Sequence, residues 1–169
     1  MAHYAWVDKD NKVVNTSVVK NENNMKDGVE DEATGQAYLM EIHKDRDFVK
    51  NGGRFLKYSL NTWHNKHWVK GVDENGNSYA KLSDDQSKAF RGNGAEKGGY
   101  YDPENDVFLP VQPFPSWTFN YEKGEWYAPV EPTEEQKSRD VFDVYWDEEA
   151  QEWKEPPEDQ VSVKEHLQE

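Results

Sequence analysis

The sequence predicts a mainly β protein built of short antiparallel hairpins, with one or two short helices and extended proline-rich connectors. Three observations predict it. Aromatic residues make up 14% of the chain and include seven Trp, and each large ring buries on the order of 150–250 Å², enough to replace several aliphatic side chains in a thin core. Short runs rich in Val, Tyr, Phe and Trp are separated by clusters of Asp, Asn, Gly and Pro, the residues that supply turn geometry. Finally, one pattern recurs three times between Gly98 and Trp153: an aromatic, an acidic polar turn, a second aromatic, and proline a few residues on.

At the N-terminus, Tyr4, Trp6 and Val7 lead into the polar turn Asp8–Asn11, and Val13, Val14, Val18 and Val19 follow, which predicts two strands around a turn. Asn21 to Asp31 reads as a loop. Glu32 to His43 is the best helix candidate, with Ala37, Tyr38, Leu39, Met40 and Ile42 as an apolar stripe and Asp31 or Thr34 as cap, although Gly35 sits in its first turn. After Asn51-Gly52-Gly53, the segment RFLKYSL alternates and places Leu56, Tyr58 and Leu60 on one face of a half-buried strand. Asn61 to His67 is polar around Trp63. Trp68–Val72 and Ser78–Leu82 flank an Asn-Gly turn and form a hairpin. Ser83 to Gln86 has capping-box spacing, predicting a two-turn helix stopped by Gly92.

The three aromatic hairpins run from Tyr101 to Phe108, from Phe119 to Trp126, and from Tyr145 or Trp146 to Trp153, with Pro110, Pro129 and Pro156 after them. Their turns are assigned to Pro103–Asp106, Glu122–Glu125 and Asp147–Ala150. Facing aromatics across such strands contribute roughly 0.2–1 kcal/mol per pair. The prolines of LPVQPFPSW lack amide donors, so this segment is expected as an extended connector with Phe114 and Trp117 packing on neighbours. Thr133 to Arg139 is a charged spacer with room for one helical turn. The resulting organisation is a β-rich domain with a short helix over 1–98, an aromatic hairpin region over 99–157, and an extended tail over 158–169.

Composition narrows the function. With 34% hydrophobic and 32% charged residues and a net charge of -14, the chain is unsuited to nucleic acid, whose phosphates require clustered Lys and Arg, and to an anionic membrane surface. The start MAHYAWVDKD has neither the basic nor the apolar region of a signal peptide, and no apolar run approaches a membrane span. Without cysteine, disulfides and thiolate metal sites are excluded.

Chemistry-bearing patterns are few. His64 and His67 stand near Asp73 and Glu74, but Lys66 lies between them and their spacing does not converge the rings, so surface histidines are favoured over a metal site. The acidic turns lack the ligand spacing of a calcium loop. Carboxylate pairs suited to glycoside hydrolysis carry no information among 34 Asp and Glu. No nucleophile, phosphate-binding or dinucleotide pattern occurs, so neither an enzyme nor a cofactor is expected. The aromatics are the better candidates: Phe108, Phe114, Trp117, Phe119, Trp126, Tyr145, Trp146 and Trp153 are assigned to a protein–protein interface. The alternative is a glycan- or host-receptor-binding module that uses exposed Trp residues, with Trp117, Trp126, Tyr127, Trp146 and Trp153 as candidates to stack on a surface glycan.

The segment from Phe90 to Pro129, read as FRxNxAxxGxxYDxxxDxFxPxxPFPSWxFxxxxxxWxxP, resembles a group of small virion structural proteins of marine tailed phages, including cyanophages. The Met-Ala-His start with an Asp-centred hairpin, the Ser59-Leu60-Asn61-Thr62 stretch with His67 downstream, and the Trp146-Asp147 to Trp153 hairpin are similar as well. PFPSW and its flanks are the specific part, and Gly92-Asn93-Gly94 departs from the pattern. The resemblance implies assembly without catalysis: a multi-copy protein made in the host cytoplasm and carried in the virion, on capsid, neck or tail proteins, in homo-oligomeric or lattice-bound form.

Overall fold

The computed structural model describes residues 1–138 and 144–155, and it is mainly β, with fourteen short strands among the described residues. The chain divides into two compact units, Met1–Gln112 with Phe119–Glu125, and Pro113–Thr118 with Trp126–Glu169. The division therefore does not fall at 98/99, because the first aromatic hairpin completes the core of the first unit. Arg139, Pro156 and the expected tail 158–169 lie outside the described residues.

In the first unit β1 (Ala2–Val7) turns into β2 (Val13–Val19), antiparallel from Ala2↔Val19 to Trp6↔Asn15. The Asp8 carboxylate accepts the backbone N–H groups of Asp10 (3.0 Å) and Lys12 (2.8 Å), and Asn11 takes the left-handed φ of 67° that closes the turn. The segment expected as a loop holds a small hairpin, β3 (Met25–Lys26) and β4 (Val29–Glu30), turned by Asp27 and Gly28, both at positive φ. Next come α1 (Glu32–Ile42), a short α2 (Asp47–Lys50), and β5 (Arg54–Tyr58), which pairs with β1 to give the sheet order β2-β1-β5.

Central β1 is covered on both faces, and alternation sorts its side chains. Ala2, Tyr4 and Trp6 pack with Val19, Leu39 and Phe55 on the side of α1. Ala5 and Val7 pack with Val13, Tyr58, Tyr101 and Phe108 on the other. The same two-sided cover corrects the reading of β5: Phe55 is as buried as Tyr58, and Leu60, past the strand end, is 52% exposed.

Asp31 caps α1, its carboxylate accepting from the Thr34 N–H (2.8 Å) and hydroxyl (2.6 Å). The helix does not bury the apolar stripe read from the sequence. Tyr38, Met40 and Ile42 are exposed, and the buried face is Gly35 and Leu39. Gly35 is there for proximity: a Cβ at this position would collide with the Tyr4 hydroxyl and the Asn24 side-chain oxygen, which are hydrogen-bonded to each other. Asn24 is fully buried, and its amide also donates to Glu30 at 3.0 Å. Gly35→Ala, a helix-favouring change in isolation, is expected to destabilise the first unit by about 1–3 kcal/mol; an unchanged urea midpoint would disprove the contact.

Further along are β6 (Thr62–Trp63), β7 (Lys66–Val72) and β8 (Ser78–Leu82), a three-stranded antiparallel sheet that includes the hairpin expected over 68–82. The expected helix before Gly92 is only a single 3-10 turn, Gln86–Lys88, capped by Asp85. Tertiary contacts pull the chain out of the helix: the Phe90 N–H donates to Thr62 Oγ1 (3.0 Å), and Arg91 has φ 53°.

The three aromatic hairpins follow: β9 (Tyr100–Asp102) with β10 (Val107–Leu109), β11 (Thr118–Asn120) with β12 (Glu125–Tyr127), and, after α3 (Glu134–Lys137), β13 (Tyr145–Asp147) with β14 (Glu152–Lys154). They share one turn. Asp102, Asn120 or Asp147 opens it, with a side-chain oxygen accepting a turn amide at 2.8–2.9 Å. Asp106, Gly124 or Gln151 closes it at positive φ. The turns are thus 103–106, 121–124 and 148–151, the latter two shifted by one residue from the sequence reading. Tyr101 pairs directly with Phe108, and Trp146, rather than Tyr145, with Trp153. One connector expectation is corrected: Phe114–Trp117 is a turn, its Trp117 N–H bonded to the Phe114 carbonyl at 3.1 Å, with Pro115 supplying the fixed φ at its second position.

Candidate interaction surface

The quoted segment from Phe90 to Pro129 supplies much of the polar framework of the first unit. Arg91, with a side chain only 12% exposed, bonds Glu32 of α1 (2.7 Å), Asp106 of the first aromatic turn (2.8 Å) and the Lys57 carbonyl of β5 (2.8 Å). Its guanidinium lies over the rings of Phe90 and Tyr101. Burial alone would lower the Arg91 pKa, but the hydrogen bonds and charges of Glu32 and Asp106 raise it. Tyr101 donates to Asp106, and burial together with that carboxylate pushes its pKa up to about 12.

Asn93 is a second buried hub. Its amide donates to the carbonyls of Phe108 and Gly124, both at 3.1 Å, and its oxygen accepts the His64 N–H at 2.9 Å. His64 and Asn65, both at positive φ, are the two turn residues between β6 and β7. Gly124 packs on them so closely that a Cβ there would stand 3.0 Å from the His64 Cα. These residues serve backbone geometry, and among the described residues no group of three or more His, Asp or Glu is placed to hold a metal ion.

In the second unit, Phe114, Trp117, Trp146 and Trp153 form one cluster. Trp117 lies 5.7 Å from Phe114, 6.3 Å from Trp146 and 5.9 Å from Trp153, and Trp146 meets Trp153 edge-on at 5.5 Å. Glu148 fastens it, accepting from the Ser116 N–H (2.9 Å), the Ser116 hydroxyl (2.7 Å) and Trp146 Nε1 (2.8 Å). The Trp153 indole donates to the Val130 carbonyl at 2.8 Å, and Thr133 and Gln136 form a capping box on α3.

The hydrogen bonds from Ser116, and then that from Trp146, hold the Glu148 carboxyl below its usual 4.5. A depressed carboxylate contributes stability that is complete above the unfolded value and lost as pH falls through the lower folded one. Indole emission is therefore expected to change on acidification below about pH 4, and Glu148→Gln to remove that transition. A transition unaltered in the variant would exclude Glu148 as its source.

This geometry corrects part of the assigned interface. Phe108 is fully buried against Tyr101 and Tyr58, Trp146 is 4% exposed, and Phe119, beside Tyr121, is 9% exposed. These three rings are core, because the chain's own hairpins cover them. Phe114, Trp117, Trp126 and Trp153 are half-buried, and Tyr145 is exposed.

Among the described residues, Trp63 is the most exposed of the large aromatics, and it lies elsewhere, on the sheet β6–β7–β8. Trp63 is 60% exposed, and Val69, Val72, Tyr79 and Leu82 are also exposed. A cleft of about 330 Å³ beside Trp63 is lined by Leu60, Asn61, His64, Trp68, Lys70 and Ala80. Tyr79 lies across the bare backbone of Gly71, where a Cβ would stand 2.7 Å from its ring. Gln86 makes two bonds to the His67 backbone, on its N–H (3.0 Å) and its carbonyl (3.1 Å), and so anchors the sheet at its base. Sequence reasoning found the β7–β8 hairpin but gave it no role. The available signal was its apolar residues at both alternating positions, with no other segment assigned to cover either face.

Among the described residues no helix is long and apolar enough to cross a membrane. No protein-family model matches the chain, and neither a curated protein nor a solved structure is found similar to it.

Proposed function

We propose that this chain is a non-enzymatic structural component of a tailed-phage virion, binding other virion proteins of the capsid, neck or tail. The observation that carries the binding role is the sheet β6–β7–β8, which keeps Trp63, Val69, Val72, Tyr79 and Leu82 at the surface. Apolar surface of this kind is stabilised by a neighbouring chain, and association then stabilises the fold by mass action. The virion setting rests on the likeness of the PFPSW segment and its flanks to the phage group. Hydrogen exchange on purified particles of a phage encoding this chain tests both: amides of 62–82 are expected to exchange more slowly in particles than in the free chain. Particles that lack the chain would refute the reading.

A second reading, a glycan-binding module of the same particle, draws on the cleft beside Trp63 rather than on the Trp117, Trp146 and Trp153 cluster. It expects saturable binding on a glycan array that Trp63→Ala abolishes without unfolding the chain.

A further inference from the structure

The sheet β6–β7–β8 ends in a strand with an unused edge: among the described residues β8 pairs only with β7. The Asp73 N–H bonds the Asn77 carbonyl, and the Ser83 N–H bonds the His67 carbonyl, both at 2.9 Å. Inward-bonding positions alternate along an antiparallel strand. Residues 77, 79, 81 and 83 therefore bond toward β7, and the N–H and C=O groups of Ser78, Ala80 and Leu82 face outward. All five β8 residues are exposed. Such an edge accepts an added strand.

Charge defines the occupant. Strands β6, β7 and β8 contain Lys66, Lys70 and Lys81 and no carboxylate, in a chain of net charge -14. None of these lysines has a carboxylate partner among the described residues; Lys70 donates to the Leu60 carbonyl at 2.9 Å. Asp73, Glu74, Asp84 and Asp85 lie beyond the strand ends, where Asp73 and Asp85 hold local turn amides. By register, Lys66 and Lys70 share a face with Trp63, Trp68, Val72 and Leu82, and Lys81 shares the other with Val69 and Tyr79. Each face thus sets a cation beside apolar side chains.

We propose that the outer edge of β8 takes up an extended acidic segment of a partner protein as a fourth strand, an inference that rests on the assembly role above. Its backbone bonds Ser78, Ala80 and Leu82; its carboxylates lie on the face of Lys81, and its apolar residues, on the other face, cover Ala80 and Leu82. A second copy of β8 would bring Lys81 and no carboxylate, so charge complementarity favours a foreign acidic strand over self-pairing.

The test titrates the full chain with a blocked peptide of alternating Glu and Val, about seven residues long to match a strand, read by amide shifts of Ser78, Ala80 and Leu82. Saturable binding is expected, weakening by about tenfold or more from low to high salt. A peptide with Lys in place of Glu, or one N-methylated on its bonding amides, is expected not to bind. Ala80→Pro removes an outward donor and leaves the bonds to β7 intact, so it is expected to abolish binding with little change in the melt. No saturable binding, equal binding of the Lys or N-methylated peptide, or full binding by Ala80→Pro would overturn the inference. So would self-association that Ala80→Pro abolishes, since a second copy would then own the edge. The N-methylated peptide leaves the protein unaltered and decides the matter if the proline variant misfolds. Equal incorporation of wild type and a folded Ala80→Pro into particles would sink the edge inference alone; absence of the wild type from particles, with the titration positive, would sink the assembly role alone.

Discussion

Arg91→Ala is expected to destabilise the first unit by about 3–5 kcal/mol, the usual result of removing one partner from a buried charge pair. Against a typical total stability of about 5–15 kcal/mol, that is enough to unfold a large share of the molecules. Three separated parts of the unit lose their common tie. Glu32 also accepts from the Lys57 N–H (2.9 Å) and from the Gln36 amide (3.0 Å), so its charge would stay among these donors without its cation. The exposed Asp106 arm contributes less, since its side chain is 59% accessible and its charge is largely screened by water. Arg91→Lys should not restore stability, because an ammonium cannot span Glu32, Asp106 and the Lys57 carbonyl as the planar fork does. Urea denaturation of both variants is the measurement. A loss under about 1 kcal/mol for Arg91→Ala would mean that the pair behaves as a surface ion pair.

Trp146→Ala is expected to cost about 3–5 kcal/mol in the second unit, the range for emptying a buried large aromatic site. The ring touches Trp117 and Trp153, and its indole N–H is one of three donors on Glu148. Removing it leaves a cavity and takes a bond from that carboxylate. Near-ultraviolet dichroism should show loss of the indole bands at a temperature where the wild type keeps them. The result also separates core from interface. A Trp146→Ala chain that melts like wild type but fails to associate would restore Trp146 to the binding surface and overturn the packing described above.

The hairpins were legible because their information is local. A side-chain oxygen bonding the turn amides and a residue able to adopt positive φ lie within a few positions of one another, as at Asp102 and Asp106 or Asp8 and Asn11. The α1 boundaries were legible for the same reason, through the Asp31 cap. Its buried face was not. Gly35 looked like a weak point in a helix, and only the Tyr4 hydroxyl from β1, far away in sequence, shows why a side chain has no room there. The aromatic inventory marked strongly packed positions but could not separate core rings from exposed ones. Phe108 and Trp146 turn inward because Tyr58, Tyr101, Trp117 and Trp153 meet them, and Trp63 stays outside because nothing among the described residues covers it.

The sequence by itself determined a mainly β chain of short hairpins with polar turns, because turn chemistry and strand propensity act over a few residues. Tertiary structure alone decided which aromatics face water and how Arg91 ties α1, β5 and the first aromatic turn together. Among the described residues it also left the outer edge of β8, the strand that carries Lys81, without a paired strand. Burial and charge pairing are set by neighbours distant along the chain, and no local pattern of residues carries that information.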